Sequence, residues 1–469
     1  MVLGTKRGRG WARLGAACLA LSGVAGCGRG ALADASDAGS TSDAARCQPA
    51  CVQGQVCGTD GLCLGEVVWS FPVSYAETAL DLALAADGTV VVPSRDPDLT
   101  TADLQGLSPD GQLLWTTNIS TIDPGDSVAQ LSNPIAAPTG AIYVGQMNTL
   151  TAVSVTGQPL FTTEIPATVS RLSAMAPAVA PDGTAYFQYL TTIGPDGTLL
   201  WSQPTGYLGT TGNANTVVLR PDRILSVGGS QADSDLFYTN LYDQNGAIVW
   251  TQPTGDLSDT IAVTSNDAFV RGACPDASAA GDPDVVSASC GEIRSFAIDT
   301  GNELWSAPSP DPGLDARDIL VLADGTLLAL GETWALATNP STHSFLWRLS
   351  PSGAPLGSPV EIPYDAVRSS VLGDDGVLYL SMFDARPDGR GGILAVDPVS
   401  GEVKWSYTTT GPAGATAPTI AANGCLLTMI VDLDGSGSAK AVCLRSSSRG
   451  IAATPWPMTL GHNRATPGP

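Results

Sequence analysis

After the first thirty residues the chain settles into short runs in which apolar side chains fall on every second position. Each run ends at a cluster of Gly, Pro, Asp, Asn or Ser. A period of two marks strands with one buried face, and no later stretch shows the 3.6-residue period of a helix. The clearest unit is Ala395 to Trp405. Ile393-Leu394-Ala395-Val396 leads in, Asp397-Pro398-Val399-Ser400-Gly401 turns the chain, and Glu402-Val403-Lys404-Trp405 leads out. Two apolar runs around such a turn predict a hairpin.

The unit recurs. Gly, three residues and an aromatic appear at Gly65 and Trp69, Gly111 and Trp115, Gly157 and Phe161, Gly197 and Trp201, Gly246 and Trp250, Gly301 and Trp305, and Gly401 and Trp405. A degraded copy lies at Ser352-Gly353-Ala354-Pro355-Leu356, with Gly357 in the aromatic slot. Neighbouring aromatics are roughly 40–55 residues apart, the spacing of propeller blades. A second mark is an acid-Gly turn, as in Asp87-Gly88, Asp182-Gly183, Asp324-Gly325 and Asp375-Gly376, with variants at Thr139-Gly140 and Asn423-Gly424. Gly at such turns supplies the positive φ that tight hairpins need. Each blade therefore reads as strand, Asp-Gly hairpin, two strands and a Gly hairpin into a last strand that ends on the aromatic. The Gly frees the turn, and the aromatic covers backbone and apolar surface of a neighbour, a structural role with no catalytic content.

The predicted fold is all-β: an eight-bladed propeller of four-stranded antiparallel blades, with seven blades as the competing count. The first Gly-aromatic mark has no blade before it, and the strands in Thr416 to Arg445 have none of their own. Placing Glu66 to Phe71 as the outer strand of the last blade closes the ring and removes its open edges. Trp456 is the alternative donor of that strand.

Charge and cysteines refine this picture. The chain has 45 acids, 22 basic residues and a net charge of −23, which argues against nucleic acid. Residues 1–26 read as a targeting segment, with Lys6, Arg7, Arg9 and Arg13 ahead of a short apolar run. Val24-Ala25-Gly26-Cys27 resembles a bacterial lipobox, which implies lipid on Cys27. Cleavage there removes four basic residues and no acid, taking −23 to −27. Gly28 in place of an Asp implies the outer membrane or cell surface. Residues 27–46 predict a flexible linker. Residues 47–64 form a small module with Cys47, Cys51, Cys57 and Cys63. Two disulfides of open connectivity are expected there, with zinc as the alternative. Within the array (65–448), Cys274 pairs with Cys290 and Cys425 with Cys443, the second pair linking neighbouring strands of the closing blade. Residues 449–469 are a tail. Asp432 and Asp434 begin a stretch like a calcium loop that lacks its twelfth-position Glu, so a plain turn is the favoured reading.

Ala395-x-Asp397-x-x-Ser400-Gly401-x-x-x-Trp405 and Phe296 to Trp305 resemble the tryptophan-docking motif of PQQ-type, quinoprotein-like β-propellers. Pro455-Trp456-Pro457-Met458 with Gly461-His462-Asn463 is similar to tails on such propellers. The resemblance implies strands ordered outward from a central channel. Its alcohol-oxidising members hold PQQ and calcium above adjacent cysteines, and this chain has no Cys-Cys. His343 and His462, the only histidines, have no catalytic or metal-binding spacing. The expectation is therefore a non-enzymatic, lipid-anchored envelope propeller without cofactor, held to the membrane only by its lipid. Its partner would be an envelope protein or surface polysaccharide, by analogy with lipoprotein propellers that assist outer-membrane protein assembly. The alternative is a PQQ- and calcium-dependent dehydrogenase. Val92 to Leu104 and Ala273 to Ser289 are the irregular stretches expected to meet a partner.

Overall fold

The computed structural model describes residues 47–458. Segments 48–49, 75–79, 96–100, 122–130, 147–148, 166–175, 188–189, 203–214, 221, 230–236, 256–259, 272–291, 311–313, 334–342, 364–366, 385–388, 410 and 435–437 lie outside the description. Cys27, Cys274, Cys290, His462 and the stretch Ala273 to Ser289 therefore fall outside the described residues.

Six antiparallel sheets of four strands follow one another along the chain, and a nine-stranded sheet holds two further blades. The count is eight, which sets aside seven. In blade 1 the strands are Ala83–Leu84, Val90–Arg95, Thr101–Leu107 and Leu113–Thr121, paired in chain order. Blade 7 comprises Val367–Leu372, Leu378–Asp384, Gly392–Val396 and Val403–Thr408. Blade 8 has a split inner strand, Ala413–Ala415 and Thr419–Ile420, then Cys425–Asp432 and Ala439–Arg445. Blades 7 and 8 merge into one sheet because Phe383 and Asp384 pair with Gly414 and Ala413.

The fourth strand of blade 8 comes from the far end of the chain. Val67–Val73 pairs antiparallel with Ala439–Arg445, placing Ser70 opposite Val442 and Phe71 opposite Ala441. This is the closure expected for Glu66 to Phe71. Trp456 does not supply that strand. It bridges Val321, at the end of the first strand of blade 6, while Met458 bridges Val371 in blade 7. The tail thus crosses first strands at one end of the channel, and Trp456 is buried there.

First strands of successive blades touch one another and line the channel. The middle strands are buried on both faces: every residue of Val90–Arg95 and of Ala141–Gln146 is buried. Last strands alternate half-buried and exposed, as at the rim of a ring. Among the described residues, no blade has a core of its own. Leu82, Val90 and Leu107 of blade 1 pack with Leu427, Met429 and Ala441 of blade 8, whereas Leu104 and Ala102 face Ile142 and Val144 of blade 2. The apolar core is a circle of inter-blade seams.

Two expectations need correction. Val92 to Leu104 holds paired strand on both sides of residues 96–100, with Val92 opposite Gln105 and Arg95 opposite Ala102, and Val90–Arg95 is a middle strand buried on both faces, so it shows no alternation to read. The last strands also do not end on their aromatics: Leu113–Thr121 continues six residues past Trp115, pairing up to Thr101 and Ala102.

Turn aspartates hold the hairpins. Thr326 N–H donates to Asp324 at 2.9 Å, Ser400 N–H to Asp397 at 2.9 Å, and the Thr198 and Ser448 hydroxyls to Asp196 and Asp374 at 2.6 Å. These bonds keep the four carboxyls below the usual carboxylate range, the Thr198 and Ser448 hydroxyls leading at Asp196 and Asp374, and the Thr326 and Ser400 amides at Asp324 and Asp397. Because the folded values are depressed, the stabilisation is complete above the unfolded carboxylate value of about 4 and is lost as pH falls through the folded values. Calorimetry should find an unfolding midpoint that is level from about pH 7 to 5 and falls below about pH 4. An Asp324→Asn/Asp397→Asn variant, which keeps acceptor oxygens but no titrating charge, should fall less steeply.

Candidate functional site

The repeated Gly and aromatic meet across blades, not within one. Trp69 Nε1 donates to the Pro109 carbonyl at 2.9 Å, Trp115 to Val155 at 2.7 Å and Trp201 to Gln244 at 2.8 Å. Trp250 reaches Ile298 at 2.7 Å and Trp305 reaches Pro351 at 2.9 Å. Each acceptor lies two or three residues before the turn glycine of the next blade: Gly111, Gly157, Gly246, Gly301 and Gly353. The glycine is needed twice over at Gly111. Its φ is +78°, and a Cβ there would stand 2.5 Å from Trp69 Cδ2. Phe161 covers Gly197 in the same way without an indole bond.

Blades 6 and 7 vary the device. In blade 6 the aromatic is missing and the last strand is Val360–Ile362, so Val360 lies against Gly401. Spacing from Gly353 could not reveal this, because the chain first detours through a bridge from Pro355 to Leu349. In blade 7 Trp405 packs on Gly65, which enters from the N-terminal side as a substitute for a hairpin glycine. Gly65 N–H donates to Arg445 O at 2.9 Å, and Arg445 N–H to Glu66 O at 2.8 Å. With no continuous turn at that position, Trp405 Nε1 is buried without an acceptor.

The cysteine module is fixed to this closing seam. Its disulfides are Cys47–Cys57 and Cys51–Cys63, so the four thiols expected as disulfides or a zinc site are oxidised pairs. Ser406 N–H of blade 7 donates to Gly54 O at 2.7 Å, and Leu64 packs among Trp405 and Leu444. The module is a cap on the outer edge of blade 7. Cys425–Cys443 joins the second and third strands of blade 8, with Cα atoms 5.3 Å apart.

Polar side chains tie the first strands together at the other end of the channel. Asp81 N–H donates to Asn133 Oδ1 at 2.9 Å, Asn133 Nδ2 returns a bond to Asp81 Oδ2 at 2.5 Å, and Ala417 N–H reaches Asp81 Oδ1 at 3.0 Å. One carboxylate thereby links blades 8, 1 and 2. Thr260 Oγ1 donates to Arg317 O across blades 5 and 6, and Ser370 to buried Asp318 across blades 7 and 6. Arg317 also pairs with Glu332 at 2.9 Å. No periodic signal marked these residues.

Among the described residues, the one group of three metal-ligating side chains is Cys47, Cys51 and Cys63, which the disulfides occupy. Asp432 ends a strand and accepts the Ser438 hydroxyl across the hairpin that also holds Asp434. His343 Nδ1 lies 2.8 Å from Glu361 on the exposed rim.

The rim carries the most distinctive surface. Val68, Leu114, Leu160, Leu200, Val249 and Leu304, each one residue before the docking aromatic, are between 43 and 56% exposed. They repeat from blade to blade around the ring, and Lys404 takes the place in blade 7, where the module sits.

The sequence profile of the outer membrane protein assembly factor BamB family matches residues 186–386 and 289–454, together more than half of the chain. The chain belongs to this family. The two matches overlap over residues 289–386. BamB from Moraxella catarrhalis is 16% identical, with 81% of this chain and 99% of that one covered and a TM-score of 0.52. The Dos1 propeller is 10% identical, with 83% and 98% covered and a TM-score of 0.50. At these identities the likenesses describe a shared fold. No curated protein sequence matches the chain.

Trp250→Ala should lose roughly 3–5 kcal/mol, because a buried ring and its bond to Ile298 go together. Leu200→Ser, on the exposed side of its strand, should stay within about 0.5 kcal/mol. Urea unfolding of both variants checks the contrast. Replacing Cys51 and Cys63 by Ser should cost about 3 kcal/mol by the loop-closure argument, read from the same transition.

Proposed function

We propose that this protein is a non-enzymatic scaffold of the bacterial envelope, tethered by lipid on Cys27 at the outer membrane or cell surface, that binds another envelope protein through its rim. The observation that carries the reading is the repeated exposed aliphatic row from Val68 to Leu304. It runs along last strands that pair on one side only among the described residues. An open backbone edge beside exposed apolar side chains is a surface suited to a partner, and monomeric proteins ordinarily blunt such edges. The family's description as an outer membrane protein assembly factor supports a protein as the partner and an envelope location. Surface polysaccharide is the second ligand class in view.

Photo-crosslinking from positions 114, 200 and 249 of the lipidated chain in envelope membranes tests the reading. A discrete protein adduct from these positions, absent when the probe stands at Asp182 on a turn, is the expected result. Leu114→Glu/Leu200→Glu should weaken it at least tenfold. The same chain titrated with PQQ and calcium should show neither saturable binding nor dye-coupled oxidation of alcohols or sugars. Turnover without a rim adduct would overturn the scaffold in favour of a quinoprotein dehydrogenase.

A further inference from the structure

A small cavity of about 100 Å³ opens at the seam where the closing strand meets blade 8. Asp60 comes from the cysteine module, Trp69 from the closing strand, Asp110 from the last turn of blade 1 and Asn423 from the first turn of blade 8. Arg445 and Arg449 come from the end of blade 8 and just beyond it. The pocket therefore exists only in the closed ring with its module in place.

Two guanidinium groups on one cavity are unusual in a chain with 45 acids and 22 bases. Glu66 stands beside Arg445, with Oε2 3.9 Å from Nε, too far for a hydrogen bond. Arg445 Nε is nonetheless buried and without an acceptor. Arg449 is exposed, and Asp374 both accepts its backbone N–H at 2.9 Å and feels its charge. A buried guanidinium nitrogen without an acceptor is costly, and the planar fork of donors matches an oxyanion.

The carboxylates narrow the ligand. Asp60 accepts one bond, from Leu62 N–H at 3.1 Å, and Asp110 shares the wall with it. A bare anion would be repelled by both. A ligand with an oxyanion at one end and hydroxyls beside it can place the anion on the arginines and donate to the aspartates. Trp69 adds an aromatic wall for its C–H face.

We propose that this seam cavity binds a sugar acid, a hydroxylated ring bearing a carboxylate, with Arg445 and Arg449 on the carboxylate and Asp60 and Asp110 on the hydroxyls. The site meets the rim row at Val68, whereas Leu114, Leu200 and Val249, where the rim is probed, do not line it, so either reading can fail without the other. In this form an acidic glycan would be held at the seam between module and propeller.

Calorimetric titration of the full mature chain with glucuronate, glucose and inorganic phosphate tests the assignment. Glucuronate should bind with a Kd on the order of 1 mM, and glucose and phosphate at least tenfold more weakly. Arg449→Gln should weaken glucuronate about tenfold, which is about 1.4 kcal/mol. Asp110→Asn should reduce the preference for glucuronate over phosphate. Arg348→Gln, a control on blade 6, should change nothing, and each variant is checked for an unaltered unfolding midpoint. Equal binding of phosphate, equal binding of glucose, no binding of glucuronate, or binding untouched by Arg449→Gln would each overturn the proposal.

Discussion

Everything in this molecule depends on one contact made over and over: an aromatic ring from the last strand of one blade lying on the turn backbone of the next. A four-stranded sheet has two faces to cover and cannot cover them alone. Here both faces are covered only by the neighbouring blades, as the seam clusters show. The arrangement is stable only if it closes, because an open array would leave one face and one edge bare. Val67–Val73 closes it. The indole bonds fix how far each blade rotates against the next, and the glycine lets the ring approach the backbone. At the closure itself the turn is broken, Gly65 stands in for a hairpin residue, and Trp405 goes without its acceptor.

The periodic part of this design was legible in the sequence. Repeating glycines and aromatics gave the number of blades, and the unmatched mark at Gly65 pointed to closure from the N-terminal side. What lacked a period was not legible. Val360 fills an aromatic's place after an irregular detour, which spacing alone hides. The docking of Gly54 on Ser406 and of Trp456 on Val321 are single contacts between distant segments, and nothing local in either sequence announces them. Asp81 looks like any loop aspartate until three blades converge on it. Val92 to Leu104 read as irregular although Val92 to Arg95 belongs to a paired strand, because a strand buried on both faces carries no period of two. The sites are therefore less legible than the fold: the rim aliphatics could be listed from the sequence, but their exposure could not.

The two ends of the described residues gather on one side of the ring. The module caps blade 7, the closing strand completes blade 8, and residues 450–458 cross the first strands of blades 6 and 7. Blades 1 to 5 keep exposed aliphatics on their last strands.

Hydrogen exchange on the full mature chain tests that closure most directly. The account predicts that amides of Val67–Val73 are protected as strongly as those of Ala439–Arg445 and open together with them, in one cooperative event. Rapid exchange of Val67–Val73 while Ala439–Arg445 stays protected would contradict it, and would mean that the ring is held shut without its N-terminal strand.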